Sequence, residues 1–280
     1  MTDSPRRTPD DPGASGPGRW RGAPSQRLAY GTTDVQVYVD RDALVGAAAE
    51  HVVSIARAAV AERGRFSIAL AGGGSPRPVY QLLAERPFAA RIDWSRTHVF
   101  FGDERCVPPD HPESNYRMAR EALLDRVPVA VANVHRIVGE DDPHRAAMRY
   151  EQTLRELFGV AQGPPDRSFD LVLLGMGEDG HTASLFAGTP PVTEARRWVM
   201  ACEITLARPM WRITLTPPVI DAAAVVTFLV VGARKAERLS DVLDGGAGDA
   251  RPPAARIRPT YGELHWMVDA AAAAQLRRRS

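Results

Sequence analysis

The sequence predicts an α/β protein with a mostly parallel, doubly wound sheet flanked by helices, and three observations support this fold class. Short apolar runs of strand length alternate with longer helical patterns along most of the 280-residue chain. Several of these runs are continuously apolar, as strands are when both faces of a parallel sheet are covered. Glycine and polar residues gather directly after the runs, where open α/β sheets bind their ligands.

The predicted elements begin with a strand at Val35–Val39 and a helix that Asp40 caps and that ends near Arg63. Later strands are predicted at Phe66–Leu70, Thr97–Phe101, Leu171–Leu174, Arg212–Leu215, Val225–Val231 and Leu264–Val268. Later helices are predicted at Pro78–Ala84, from Ser114 as N-cap to Leu124, at Arg145–Phe158, at Arg234–Leu243 and in the alanine-rich C-terminal stretch.

The first thirty residues differ in composition from the rest of the chain. They are rich in Pro, Gly and Arg and contain few aliphatic side chains. Such a segment cannot bury enough apolar surface to offset the entropy that ordering costs. Residues 1–30 are therefore predicted to form a disordered tail, and residues 31–280 a single α/β domain.

Charge and cysteine content exclude several classes of protein. A formal net charge of +1 gives little electrostatic basis for binding nucleic acid. The apolar runs are far shorter than the roughly 20 residues of a membrane-spanning helix, and the first residues lack the pattern of a signal peptide. Two cysteines without a Cys/His cluster predict no metal site. We expect a cytoplasmic protein, monomeric or a small homo-oligomer, with no cofactor, metal, nucleic-acid or membrane partner.

A glycine-rich turn follows the strand Phe66–Leu70. Gly73, Gly74 and Ser75 lie in the sequence Gly-Gly-Gly-Ser-Pro before a predicted helix. Glycine permits positive φ and close approach of the backbone to a ligand, and a helix start offers free N–H groups to an anion. The turn is therefore a candidate phosphate-binding loop. A tight turn capped by Ser75 is the alternative without a function.

A second glycine turn, Gly175–Gly180, leads into His181. Its spacing matches a dinucleotide-binding fingerprint, but Glu178 and Asp179 would then face a pyrophosphate, so a dinucleotide is not predicted. His181 follows the turn at a strand's carboxyl end, where its ordinary pKa suits a general base. The alternative is a histidine that caps a helix or lies on the surface.

Charged residues also follow other strands. Asp103 and Glu104 could orient His181 or the substrate, while Arg105 could bind an anion, although a local ion pair would explain the same residues. Arg212 and Lys235 complete the candidate cations. Lys235 is notable because it is the only lysine beside 34 arginines.

These motifs together resemble 6-phosphogluconolactonases. The resemblance extends from about Val35 to the C-terminal region. It rests on the sequences GGGSP at 72–76, FGDERCVP at 101–108, SNY at 114–116, GMGEDGHTASLF at 175–186, RITLT at 212–216 and GARK at 232–235. Glu178 departs from the family, in which Pro commonly precedes Asp-Gly-His.

The resemblance implies the fold shared with glucosamine-6-phosphate deaminases and ribose-5-phosphate isomerases. It implies metal-independent hydrolysis of 6-phosphoglucono-δ-lactone in the pentose phosphate pathway. By analogy His181 is the base, while the glycine loop, Arg105 and Lys235 bind the phosphate. Asp103 is then expected to hold the imidazole or a substrate hydroxyl, and Asp179 and Arg212 to contact the substrate.

Two alternatives of different kinds are weighed. Glucosamine-6-phosphate deaminases carry a glutamate after Asp-Gly-His, whereas residues 182–187 contain none. A non-catalytic phosphosugar sensor would need an attached DNA-binding domain, and the residues before Val35 are too few and too rich in Pro and Gly for one.

Overall fold

Two β-sheets organise the protein. The structure is a computed structural model that describes residues 22–30, 33–205, 210–245 and 251–277. The strands are β1 (Gln26–Tyr30), β2 (Thr33–Tyr38), β3 (Phe66–Leu70), β4 (Thr97–Phe101), β5 (Asp103–Arg105), β6 (Leu171–Leu174), β7 (Val199–Ile204), β8 (Met210–Leu215), β9 (Val225–Val230) and β10 (Glu263–Asp269). The α-helices of the described residues are α1 (Arg41–Arg63), α2 (Arg77–Leu83), α3 (Arg86–Ala89), α4 (Asn115–Ala122), α5 (Pro143–Phe158), α6 (Pro217–Ile220) and α7 (Ala236–Asp244).

The larger sheet has seven strands in the order β1-β2-β10-β9-β6-β3-β4. Its strands pair in parallel except β1, which pairs antiparallel with β2. Strands β3 and β6 are buried along their whole length, as the continuous apolar runs predict. The predicted fold class, a mostly parallel sheet flanked by helices, is confirmed.

The smaller sheet was not predicted from the sequence. It has three antiparallel strands in the order β5-β8-β7. Gly102 joins it to the larger sheet, because its N–H donates to the Leu70 carbonyl at 2.9 Å and its carbonyl accepts from Leu215 at 2.8 Å. The sequence Asp-Glu-Arg at 103–105 is therefore a short strand rather than a strand end, and Arg212 lies within β8 rather than opening it.

Helix α1 is the longest in the described chain and shows why the sequence folds locally as predicted. The Asp40 carboxylate accepts from the Ala43 N–H at 2.8 Å, and Gly64 ends the helix in the left-handed conformation. By length and composition it is the one described helix that could span a membrane, but half of its most apolar window is buried in the protein. Leu44, Val53 and Ala49 on this helix are completely buried.

Both predictions for the ends of the chain need correction. The predicted tail 1–30 includes β1, since residues 26–30 form a strand; residues 1–21 lie outside the described residues. The predicted C-terminal helix is wrong: residues 270–275 form turns that begin at Asp269. A run of only five alanines is too short to recover the cost of helix nucleation without a packed face.

Removing β1 should therefore destabilise the protein, whereas removing residues 1–21 should not. Tyr30 is 8% exposed, and its hydroxyl donates to the Arg277 carbonyl at 2.7 Å. We expect deletion of residues 1–30 to lower Tm by several degrees, because burial of one such side chain contributes about 1.5–3 kcal/mol. Thermal denaturation of both truncations tests this. Equal Tm values for the two would show that β1 adds no stability.

Candidate active site

The carboxyl ends of β3, β6 and β9 open into one cavity of about 460 Å³. Of the nine predicted site residues, all but Asp179 line it. The eight lining residues are Gly73, Gly74, Ser75, Asp103, Arg105, His181, Arg212 and Lys235. The cavity therefore brings together loops that are far apart in the sequence, at the edge where parallel sheets bind ligands.

His181 is paired with Asp179. Its Nδ1 lies 2.5 Å from an Asp179 carboxylate oxygen, and the same oxygen accepts from the His181 backbone N–H at 3.2 Å. Partial burial raises the pKa of Asp179, but the hydrogen bond and charge of His181 outweigh it and lower the pKa to about 2. An ionised Asp179 accepts a hydrogen bond from Nδ1–H, which leaves Nε2 as the unprotonated nitrogen.

Asp179 thus takes the place that the sequence analysis gave to Asp103 or Glu104. Asp103 has other partners, and Asp179 was expected to contact the substrate. The reason is local: residues 177–181 form a tight turn in which Gly177 N–H donates to the His181 carbonyl at 2.8 Å. This turn places the side chains at 179 and 181 side by side.

The turn also requires glycine at position 177 and an aromatic ring at 186. A Cβ on Gly177 would overlap the imidazole of His181 and the carboxylate of Asp179. On the other side, the Phe186 ring stacks on the imidazole with centroids 4.1 Å apart. Phe186 is buried, and the Arg212 guanidinium lies 5.8 Å from its centroid. The Phe186 ring thus contacts two of the predicted site residues, His181 and Arg212.

Asp103 is a buried carboxylate at the centre of a polar network. Its Oδ2 accepts from the Ser184 hydroxyl at 2.6 Å and lies 4.0 Å from Nη1 of Arg212. Its Oδ1 accepts from the Asn115 amide at 3.1 Å. Burial lowers the pKa of Arg212, with the neighbouring Arg105 adding to the effect. Asp103 therefore lies against Ser184, Asn115 and Arg212 instead of the imidazole, and its expected contact with a substrate hydroxyl stays a prediction.

Glu104 has a structural role. Its carboxylate accepts from the backbone N–H groups of Arg105, Asn115 and Tyr116 and from the Ser114 hydroxyl, at 2.7–3.0 Å. Burial raises its pKa, although these hydrogen bonds oppose the shift. Glu104 holds the start of α4, where Ser114 is the N-cap as predicted.

The first glycine loop has the backbone freedom expected of an anion site. Gly73 has φ 93, and a Cβ on Gly72 would overlap the side chain of Asn115. The N-cap of α2 is Pro76, not Ser75. Arg41, at the start of α1, lines the cavity and donates to the Gly74 carbonyl at 2.8 Å.

Cations are concentrated along the cavity. Arg105 donates to the Glu113 carbonyl, and its Nε has no hydrogen-bond partner. Lys235 ends a short 3₁₀ turn after β9, and burial lowers its pKa, although Glu178 and Asp179 oppose the shift. Beside it, Nε of Arg234 lies 3.2 Å from the Glu178 carboxylate. An anionic ligand in this cavity would face several guanidinium groups and one ammonium.

Some site residues were missed by sequence reasoning. They are Arg41, Asn115, Ser184, Phe186 and Asp269. Asp269 is buried at the end of β10 and accepts from Gly232 N–H at 3.0 Å, which fixes the loop that carries Lys235. Arg41 could not be distinguished from the other arginines, because its contact with Gly74 joins residues 33 positions apart.

The fold and this site define a class of protein: an α/β protein in which a histidine paired with an aspartate and a group of cations lie at one cavity beside the carboxyl ends of parallel strands. Residues 39–266 match the family described as glucosamine-6-phosphate isomerases/6-phosphogluconolactonase. The chain belongs to this family, which confirms the resemblance found in the motifs.

Individual relatives agree with this assignment. A 6-phosphogluconolactonase of Nostoc sp. is 42% identical over 243 residues, which are 86% of this chain and 98% of that protein. One of Mycobacterium tuberculosis is 39% identical over 250 residues, covering 88% and 99% of the two chains. The solved 6-phosphogluconolactonase from Trypanosoma cruzi is 32% identical with a TM-score of 0.77, covering 89% of this chain and 98% of that one.

A more distant structure shares only the fold. A monomeric glucosamine-6-phosphate deaminase is 19% identical with a TM-score of 0.73, covering 86% of this chain and 99% of its own. The predicted relation to the deaminase fold is therefore confirmed.

Proposed function

We propose that this protein hydrolyses 6-phospho-D-glucono-1,5-lactone to 6-phosphogluconate. The observation that carries the proposal is that His181, which is paired with Asp179, lines the same cavity as the cations. The lactone offers the matching chemistry, since it has a reactive carbonyl at one end and a phosphate dianion at the other. The names of the relatives support the same activity.

In the proposed reaction, His181 acts on water. As the water oxygen attacks C1, Nε2 of His181 takes its proton, and the ionised Asp179 stabilises the imidazolium that forms. The tetrahedral intermediate then collapses, the bond from C1 to the ring oxygen breaks, and the imidazolium returns the proton to that oxygen. Water has then been added across the ester bond, and His181 is neutral again.

The cations and the glycine loop are proposed to hold the phosphate. Gly73, Gly74 and Ser75 line the cavity together with Arg105, Arg212 and Lys235. Because the phosphate is remote from C1, its binding energy positions the carbonyl against His181. Asp103 is proposed to act through Arg212 and Ser184, to which it is joined.

The deciding experiment is a lactonase assay of the purified chain on freshly generated 6-phosphogluconolactone, with spontaneous opening subtracted. We expect turnover well above the uncatalysed rate and no ammonia release from glucosamine 6-phosphate. A protein whose Tm rises with phosphosugar but which never turns it over would be a sensor. Ammonia release would favour the deaminase, although no glutamate occurs at 182–187.

Activity should not depend on a metal ion. Among the described residues, no group of three or more His, Cys, Asp or Glu side chains could hold one. We expect the rate to be unchanged after dialysis against EDTA, because water is activated by an imidazole instead of a Lewis acid. Loss of activity that zinc or magnesium restores would contradict the proposed mechanism.

The remaining expectations stay predictions. They are a cytoplasmic location, a monomer or small homo-oligomer, and the absence of nucleic-acid and membrane partners. Size-exclusion chromatography with light scattering would measure the oligomeric state.

A further inference from the structure

A second cavity lies at the amino-terminal ends of the parallel strands β2 and β10. It has a volume of about 680 Å³, within the range of small-molecule sites. Among the described residues, its walls come from the β1–β2 hairpin, the end of α7, the segment 251–259 and the first half of β10. The proposed catalytic residues do not line it.

The acidic side chains of this second cavity have ion-pair partners, whereas its two arginines have none among the described carboxylates. Asp34 and Glu263 already have partners, because they flank His265 at 3.5 Å and 2.8 Å and Asp34 also accepts from Arg27. Arg251 and Arg258 line the same cavity, and no described carboxylate lies within 4.0 Å of either guanidinium. Burial lowers the pKa of Arg251, and the charges of Arg258 and Arg256 lower it further.

Two hydrogen-bond donors in the cavity wall lack partners. Trp266 lines the cavity and is 1% exposed, yet its indole N–H makes no hydrogen bond. Nε of Arg251 is likewise buried without a partner. A buried donor without an acceptor costs about 1–3 kcal/mol, so an acceptor entering the cavity would remove this penalty.

Part of the wall is apolar. It includes Val242, Leu243, Ile257, Pro259 and Leu264. We propose that this second cavity binds a small organic anion, with its phosphate or carboxylate on Arg251, Arg258 and the Trp266 N–H and an apolar body against the aliphatic side chains. A bare inorganic anion would leave the apolar wall uncovered.

A backbone hydrogen bond connects the wall of this second cavity with the turn that precedes His181. Ala254, which lines the second cavity, donates its N–H to the Gly180 carbonyl at 3.0 Å. A Cβ on Gly180 would overlap Pro252 and crowd Arg238 of α7. Gly180 precedes His181, so a ligand that contacts segment 251–255 also acts on the turn that carries the imidazole. Binding at the two cavities should therefore be coupled.

The experiment uses the full chain with phenyl phosphate as the probe. Phenol is the control without the charge, and inorganic phosphate is the control without the apolar group. Calorimetric titrations are run with saturating 6-phosphogluconate, which occupies the first cavity. We expect phenyl phosphate to bind under these conditions more tightly than either control. The affinity should fall about tenfold or more in Arg251→Ala/Arg258→Ala, and several-fold in Trp266→Phe, which keeps an aromatic ring of smaller size but lacks the N–H.

The control variant is Arg86→Ala/Arg196→Ala, which removes two exposed arginines that line neither cavity; we expect it to bind the probe like wild type. Three outcomes would overturn the site: 6-phosphogluconate abolishes binding of the probe, Lys235→Ala weakens that binding instead, or the Kd of the probe stays above about 10 mM. Equal affinity for inorganic phosphate would overturn the apolar contact. None of these outcomes depends on turnover, so the lactonase proposal stands or falls separately.

Coupling is measured in the same protein. The Kd of 6-phosphogluconate is determined with and without phenyl phosphate, and the probe's Kd with and without 6-phosphogluconate. Reciprocity requires the same factor in both directions. A factor of one would show that the Ala254–Gly180 hydrogen bond does not couple the two cavities.

Discussion

The His181→Ala variant should lose most of its lactonase activity while keeping its fold and its affinity for 6-phosphogluconate. General base catalysis contributes about 10²–10⁴-fold, and the alanine removes the nitrogen that takes the proton from water. The measurement is kcat after subtraction of spontaneous hydrolysis, with Tm and product Kd as checks of the fold. A variant with more than half of wild-type turnover would exclude His181 as the base.

Matched variants separate the base from its surroundings. His144→Ala removes an exposed histidine of α5 that does not line the cavity, and its kcat should equal that of wild type. Asp179→Asn should lower kcat, because a neutral amide lacks the negative charge that stabilises the imidazolium, and its NH2 group can hold the other imidazole tautomer. In the His181→Ala background the same change should have little further effect, since the two residues act as a unit.

The Lys235→Ala variant should raise KM by about one to two orders of magnitude and lower kcat much less. An ammonium–phosphate hydrogen bond is worth roughly 1.5–3 kcal/mol. The phosphate is remote from C1, so most of this energy is common to the bound substrate and the transition state and appears in KM. Steady-state kinetics on 6-phosphogluconolactone measure the split. A wild-type KM would mean that Lys235 is a solvated residue at the start of α7.

Two controls sharpen this test. Glucono-1,5-lactone lacks the phosphate, so Lys235→Ala should leave its kcat/KM unchanged. Lys235→Arg keeps the charge but changes the reach and shape of the head group, and its KM should lie between those of wild type and the alanine variant. Increased KM for both lactones would indicate a disturbed cavity instead of a lost phosphate contact.

Much of the fold follows from patterns that are local in sequence. Strands β3, β4 and β6 of the larger sheet have the predicted bounds, because short apolar runs followed closely by glycine are typical of strands in such sheets. Strand β7 and the antiparallel sheet were missed. The strands of this smaller sheet are short or carry polar residues such as Glu203. They are stabilised by pairing with partners that are distant in the sequence, which no local pattern reveals.

In the site, too, features that are local in sequence were predicted and contacts that depend on the folded chain were not. Sequence position placed His181 and Lys235 at strand ends, and the structure brings both to one cavity. The identity of the imidazole's partner could not be predicted, since it depends on how the turn at 177–181 closes. Asp103 or Glu104 was expected to orient the imidazole and Asp179 to contact the substrate, whereas the turn brings Asp179 to 2.5 Å from Nδ1 and Asp103 lies against Ser184 and Arg212.

The isolation of Lys235 in an arginine-rich chain makes it a chemical handle. Guanidinium groups do not react with acylating or aldehyde reagents at neutral pH, so such reagents find one side-chain amine, at the cavity, besides the chain's α-amino group. Burial lowers the pKa of Lys235, which increases the fraction of nucleophilic free amine. An aldehyde that carries a phosphate could therefore tag this position selectively, and a fluorophore attached there would report occupancy of the cavity without any engineered cysteine.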